Sequence, residues 1–290
     1  MSTALFVRIR RGTVAAGLAL AATWAVSVYA QQPPAALPLT PQRERGASIS
    51  PAYEGWYPNA DGSFSLLLGY YNRNTKETLD IPVGPNNRIE PGPADQGQPT
   101  HFESGRQWGV FVVKVPKDFG AKAVTWTIVA NGETQSIPFT LNKGYPISPL
   151  KELGMGNQPP VLAFAAGGPK FTGPPTATAT TLTGTVNQPI PVNVWVEDPK
   201  APGEGAGGGR GFAASVATIS LHKFRGPGKM TVDKARLPVS KQGDMVTLNA
   251  TFDAPGDYLL RMQANDESGE GGGGFQCCWT NTYLKVTVRP

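Results

Sequence analysis

Apolar side chains recur at every second position through most of this chain, and that period excludes most helical folds. Phe64, Leu66, Leu68 and Tyr70 share one face of a run, as do Val124, Trp126, Ile128 and Ala130. The same alternation places Ile190, Val192, Val194 and Val196 together, then Val246, Leu248, Ala250 and Phe252, then Tyr258, Leu260, Met262 and Ala264. Leu284, Val286 and Val288 close the series. Side chains alternate across a strand, whereas a helix repeats every 3.6 residues. No amphipathic stretch of helical period exceeds about two turns. With 35 glycines, 28 prolines and only 16% charged residues, the expectation is an all-β chain of short strands joined by turns.

The ends and joints differ in composition. Arg8, Arg10 and Arg11 precede the apolar stretch "GTVAAGLALAATWAVSVYA", the pattern of a signal peptide cut after Ala30. The competing reading keeps that stretch as a membrane anchor. Residues 31–50 read as a proline-rich spacer, residues 51–143 as a first β-sandwich and residues 176–290 as a second. The stretch at 144–175 reads as a linker or interface segment. The corner "FDAPGDYLLRMQAND" resembles that of immunoglobulin-like sandwiches, and the resemblance implies a fold class of two tandem immunoglobulin-like β-sandwich domains after a cleaved signal peptide. In the first domain Asn131-Gly132 predicts a tight type I′ hairpin. "PNNRIEPGPADQGQPTHFESG" reads as a long turn-rich excursion and "MTVDKARLPVS" as one weak strand.

Charge narrows the partners. Removing the three signal arginines leaves 23 basic against 21 acidic residues, a net charge of +2. There is no Lys/Arg stripe, so nucleic acid is not an expected partner. No second membrane span follows the signal.

The corner "FDAPGDYLLRMQAND" resembles the tyrosine corner of immunoglobulin-like sandwiches, in which the hydroxyl of the residue matching Tyr258 bonds to the chain just upstream. "PGDYLLRMQANDESG" is similar to the penultimate strand of PKD and cadherin-like domains. Leu260 stands where an antibody domain carries its core cysteine, so the stapling disulfide is not expected. "YEGWYPNADGSFSLLLGYYNRN", "LDIPVGPNNRIEPGPADQGQPTHF" and "RQWGVFVVKVPKDFG" resemble uncharacterised exported bacterial proteins. That resemblance implies export and a β-sandwich, and it supplies no catalytic residues.

Three groups of residues carry chemistry. Cys277 and Cys278 are adjacent, too close for an ordinary staple between strands. In an oxidising compartment they are expected to pack structurally, with or without a ring between them, or else to act in redox or soft-metal capture. Two glycine-rich connections, "DPKAPGEGAGGGRGF" and "NDESGEGGGGF", are expected at one end of the second sandwich. They bring Glu197, Asp198, Glu204, Asp266, Glu267 and Glu270 toward Cys277. The alternatives there are solvated tips, a partner-binding loop or a calcium site; otherwise no cofactor is expected. Tyr71, Trp195 and Trp279 are the aromatic candidates for contact with a glycan or protein.

Catalysis is not expected. His101 and His222 are the only histidines, and no nucleophile elbow or metal-ligand spacing accompanies them. The reading is an exported, periplasmic or secreted, non-catalytic binding or assembly protein of the bacterial envelope. The alternatives are a carbohydrate-binding module, a subunit polymerising through strand edges, and a thiol- or metal-handling protein.

Overall fold

The computed structural model describes residues 43–153, 156–199, 216–266 and 278–290. Among them every regular element is a strand, and together they belong to one compact unit, Gln42–Pro290. The expected signal peptide lies outside the described residues. The expected spacer gives way to folded chain before residue 50: Arg43 bridges Asn74, and Ala47 and Ser48 are buried. The Asn74 amide holds this stretch, accepting from Ala47 N at 2.6 Å and donating to Ala47 O at 2.9 Å.

The first sandwich comprises β1 (Ile49–Pro58), β2 (Phe64–Asn72), β3 (Leu79–Asp80), β4 (Asn87–Glu90), β5 (His101–Phe102), β6 (Gly105–Val115), β7 (Val124–Ala130) and β8 (Glu133–Phe139). One sheet runs β1-β2-β6, the other β4-β7-β8, with β3-β5 as a short pair. The β7–β8 hairpin turns on Asn131 and Gly132, both at positive φ as a type I′ turn requires. Fully buried Trp126 centres the core, with the Phe111 ring edge-on at 4.9 Å. Its indole N–H donates to Asn87 Oδ1 at 3.0 Å, while Asn87 Nδ2 donates to Ile81 O and Pro99 O. That amide organises the excursion after β3, which contains a strand, β4, that its polar sequence concealed.

Strict alternation fails once in β6. Leu68 pairs with Phe111 but Tyr70 with Gln107, so the chain bulges around Gly109, whose φ is +52°. The bulge turns Val110 inward beside Phe111, Val113 and Val115, although unbroken alternation puts neighbouring residues on opposite faces.

The second sandwich comprises β9 (Val161–Ala163), β10 (Lys170–Phe171), β11 (Thr178–Thr185), β12 (Ile190–Glu197), β13 (Ala217–Arg225), β14 (Met230–Val232), β15 (Leu237–Val239), β16 (Asp244–Phe252), β17 (Gly256–Asn265) and β18 (Trp279–Arg289). Its sheets run β10-β9-β12-β16-β14 and β11-β18-β17-β13-β15. The central orders, with β11 parallel to β18, form an immunoglobulin-like sandwich. The rows foreseen on β12, β16, β17 and β18 meet in one core. Tyr258 forms the corner: its hydroxyl donates to Ala254 O at 2.8 Å and accepts from Gly228 N at 3.0 Å. The expected single strand over "MTVDKARLPVS" is instead two, β14 in one sheet and β15 in the other. The described residues of the stretch 144–175 contact both sandwiches. Tyr145 and Ile147 bond to the Trp56 backbone, and β9 and β10 extend a sheet of the second sandwich.

Candidate functional site

The stems of both glycine-rich connections spring from one end of the second sandwich. Thr218 pairs with Asn265, and Asn265 with Trp279. Glu204, Glu267, Glu270 and Cys277 lie outside the described residues. Their described neighbours are engaged in structure. Glu197 pairs with Lys170 at 2.7 Å. Asp198 exchanges backbone hydrogen bonds with the Gln242 amide. Asp266 is buried and accepts from Asn157 Nδ2 at 2.6 Å. Among the described residues no three metal-type side chains gather to hold an ion. Cys278 is 1% exposed and is not a free thiol. Trp195 is half-buried on β12, between Met245 and Ala163.

Trp279, an expected contact aromatic, is only 3% exposed. Its ring lies where a side chain on Gly109 would be, so it plugs the bulge of the first sandwich. Around it the outward face of β13, β17 and β18 is buried and polar. Arg261 is 2% exposed and donates to Gln107 Oε1 at 2.6 Å and Asn281 Oδ1 at 3.2 Å. Asn281 Nδ2 donates to Gly109 O at 3.0 Å and the Tyr283 hydroxyl to Val110 O at 3.0 Å. Phe224 enters the first core, and Arg225 clasps Asp95 through two bonds of 2.7 and 2.8 Å. A buried guanidinium costs several kcal/mol unless its donors are met, so this junction is specific to its partners.

Both histidines belong to that junction. His222 Nδ1 is 2.7 Å from Glu103 Oε2, and His101 Nδ1 is 2.8 Å from Asp80 Oδ1, which also meets Lys223 Nζ at 3.0 Å. Burial pushes the Glu103 carboxyl up, but the charge and hydrogen bond of His222, with Arg261 and His101, outweigh it and hold the carboxyl below its ordinary value. Burial likewise opposes ionisation of Asp80, and His101 with Lys223 outweighs it. On the same outward face the Gln263 amide and His222 Nε2 are buried without hydrogen-bond partners.

Tyr71 lies elsewhere, on the first sandwich. It lines a cleft of about 240 Å³ formed by residues 71–75 and 104–105. Asn72 and Asn74, both fully buried, make the floor rigid. Asn72 Nδ2 donates to Glu77 O and Phe102 O, and Asn74 Nδ2 to Asn72 Oδ1. Arg73 enters the cleft wall, with Nη2 donating to Ser50 Oγ at 3.1 Å and Nε buried without a partner. Next along the same face, Arg106 is paired with Glu54 at 2.5 Å and stacks 3.9 Å over Trp108. Sequence reasoning singled out Tyr71 but not Arg73. The available signal was the pair's spacing in "YYNRN", which puts positions 71 and 73 on one face of an extended chain.

No family model matches the chain, and no curated protein matches it. Among solved structures it is similar to the D00-D0 domain of intimin, at 11% identity over 84% of this chain and 100% of that chain, with a TM-score of 0.27. It is also similar to domains 4 and 5 of the S-layer protein SbsC (11% identity, 84% and 98% covered, TM-score 0.23). The Yersinia pseudotuberculosis adhesin InvE shares 10% identity over 83% of this chain and 58% of that chain, with a TM-score of 0.24.

Proposed function

We propose that this chain is an exported, non-catalytic binding or assembly protein of the bacterial envelope. Residues 1–30 act as its signal peptide, and two β-sandwiches act as one presenting unit. The observation that carries the reading is the use made of the reactive side chains. His222, Glu103, Asp80 and the buried Arg261 bond across the junction between the sandwiches, His101 pairs with Asp80 within the first of them, and the tip acids that are described are bonded within the fold. A thiol-capture role would need an accessible thiolate, and Cys278 is buried and not free.

Two measurements test this. Fusing residues 1–50 to a phosphatase that is active only after export should give activity; a cytoplasmic, inactive fusion removes the export claim. Purified chain beginning at residue 31 should bind isolated envelopes saturably, and binding that never saturates, or equals that of an unrelated β-sandwich, removes the binding claim.

A further inference from the structure

We infer that the cleft beside Tyr71 is a binding site for a carboxylated sugar, with Arg73 as its anion-recognising residue. The inference rests on the binding reading above and adds the site and the ligand class. A guanidinium is always charged and presents its donors as a planar fork matched to a carboxylate. Other arginines near the junction already hold such a partner: Arg106 has Glu54, and Arg225 has Asp95. Arg73 is in no ion pair among the described residues; its side chain meets only a serine hydroxyl, and Nε is buried with no acceptor. Nε itself is closed to solvent, so an incoming carboxylate would meet the guanidinium at its outer nitrogens and balance a charge that no ion pair among the described residues offsets. Arg43, whose backbone bonds to Arg73 and Thr75, adds a second positive charge to this part of the fold.

The rest of the cleft selects what carries the carboxylate. Its volume, about 240 Å³, is below the usual range for drug-sized ligands, roughly 300–1,000 Å³, and exceeds what a bare oxyanion fills. Tyr71 supplies an aromatic wall, suited to the apolar face of a pyranose. The Ser104 and Thr75 hydroxyls donate only long bonds, 3.3 and 3.4 Å, and each keeps acceptor lone pairs toward sugar hydroxyls. Gly105 leaves open space where a side chain would stand. A peptide cannot add as a strand to β2 itself, because Tyr71 is already paired on both sides, with Ser50 and with Arg106.

The test is calorimetric titration of the chain from residue 31 with trigalacturonate, alongside neutral galactotriose and a triglutamate peptide. Trigalacturonate should bind saturably, at least about tenfold more tightly than either control, and weaken with added salt. Arg73→Gln should lower its affinity about tenfold or more, Arg73→Lys should recover part of that, and Tyr71→Ala should weaken it independently. Amide shifts on binding should centre on residues 71–75 and 104–105, and melting curves establish that each variant folds. Equal binding of triglutamate would make this a peptide carboxylate site, and equal binding of galactotriose a neutral sugar site; either overturns the inference. So does binding indifferent to Arg73→Gln, or no binding of trigalacturonate at all. Envelope binding that persists without trigalacturonate binding would sink the cleft and leave the broader reading standing; loss of both would remove the two together.

Discussion

Gly109 is the residue on which the two sandwiches meet. Its φ of +52° is left-handed, and a Cβ placed there would overlap the Trp279 ring. Gly109→Ala therefore combines backbone strain with overpacking of a buried aromatic, and should cost about 2–4 kcal/mol. Gly62→Ala is the matched comparison, because Gly62 also has positive φ (+81°) but nothing within 4 Å of its would-be Cβ. It should cost about 1 kcal/mol. Thermal melts of the two variants decide the matter: equal losses would mean that the ring contact contributes nothing. Legibility at this scale was uneven. Tyr258 announced its corner through the residues around it, "DAPGDY", because a tyrosine corner is a local motif. Gly109 did not announce its role, since what it must avoid is a tryptophan 170 positions away in sequence. Trp279 was misjudged for the same reason, read as a contact aromatic when its partner is the other sandwich.

At the scale of elements, alternation located the long strands but missed those that bury polar atoms. β4 reads "NRIE", and only its pairing with β7 and the bonds of the Asn87 amide make it a strand. β14 and β15 are three residues each, too short for a period to register. The side-chain ion pairs that join β13 to Asp80 of β3 and to Glu103 beside β5 carry a pH dependence. Glu103, Asp80 and Asp95 all titrate below their ordinary values of 4.5 and 3.8 in the fold, Asp95 chiefly through its hydrogen bond from Arg225. A depressed carboxyl contributes stability that is fully present above the ordinary value and is lost as pH falls through the lowered one. The melting temperature should therefore fall steeply as pH drops below about 4.5. Glu103→Gln should lower it at neutral pH and flatten this acid limb, so that wild type and variant converge in acid. Parallel curves would show that Glu103 ionisation does not support the junction.

For the whole molecule, the sequence displayed two runs of strands but not the manner of their joining. Arg261, Gln263, Asn265 and His222 alternate with core residues, so they read as the solvated face of a sheet. In the fold that face is covered, and Arg261, Gln263 and Asn265 are at most 3% exposed. A polar face hidden in this way behaves differently from a greasy one. It tolerates little displacement, because every donor moved off its acceptor is left unmet in a low-dielectric setting. Two sandwiches joined so should melt as a single cooperative unit, despite having separate apolar cores. Arg261 is the member to remove, since it reaches Gln107 in one sandwich and Asn281 in the other. Arg261→Ala should cost about 3–5 kcal/mol, the range for breaking a buried charged network. More diagnostically, it should split one calorimetric endotherm into two, one for each sandwich. A variant that still melts in one transition, merely at lower temperature, would show that the apolar insertion of Phe224 couples the halves and that the polar layer only seals them.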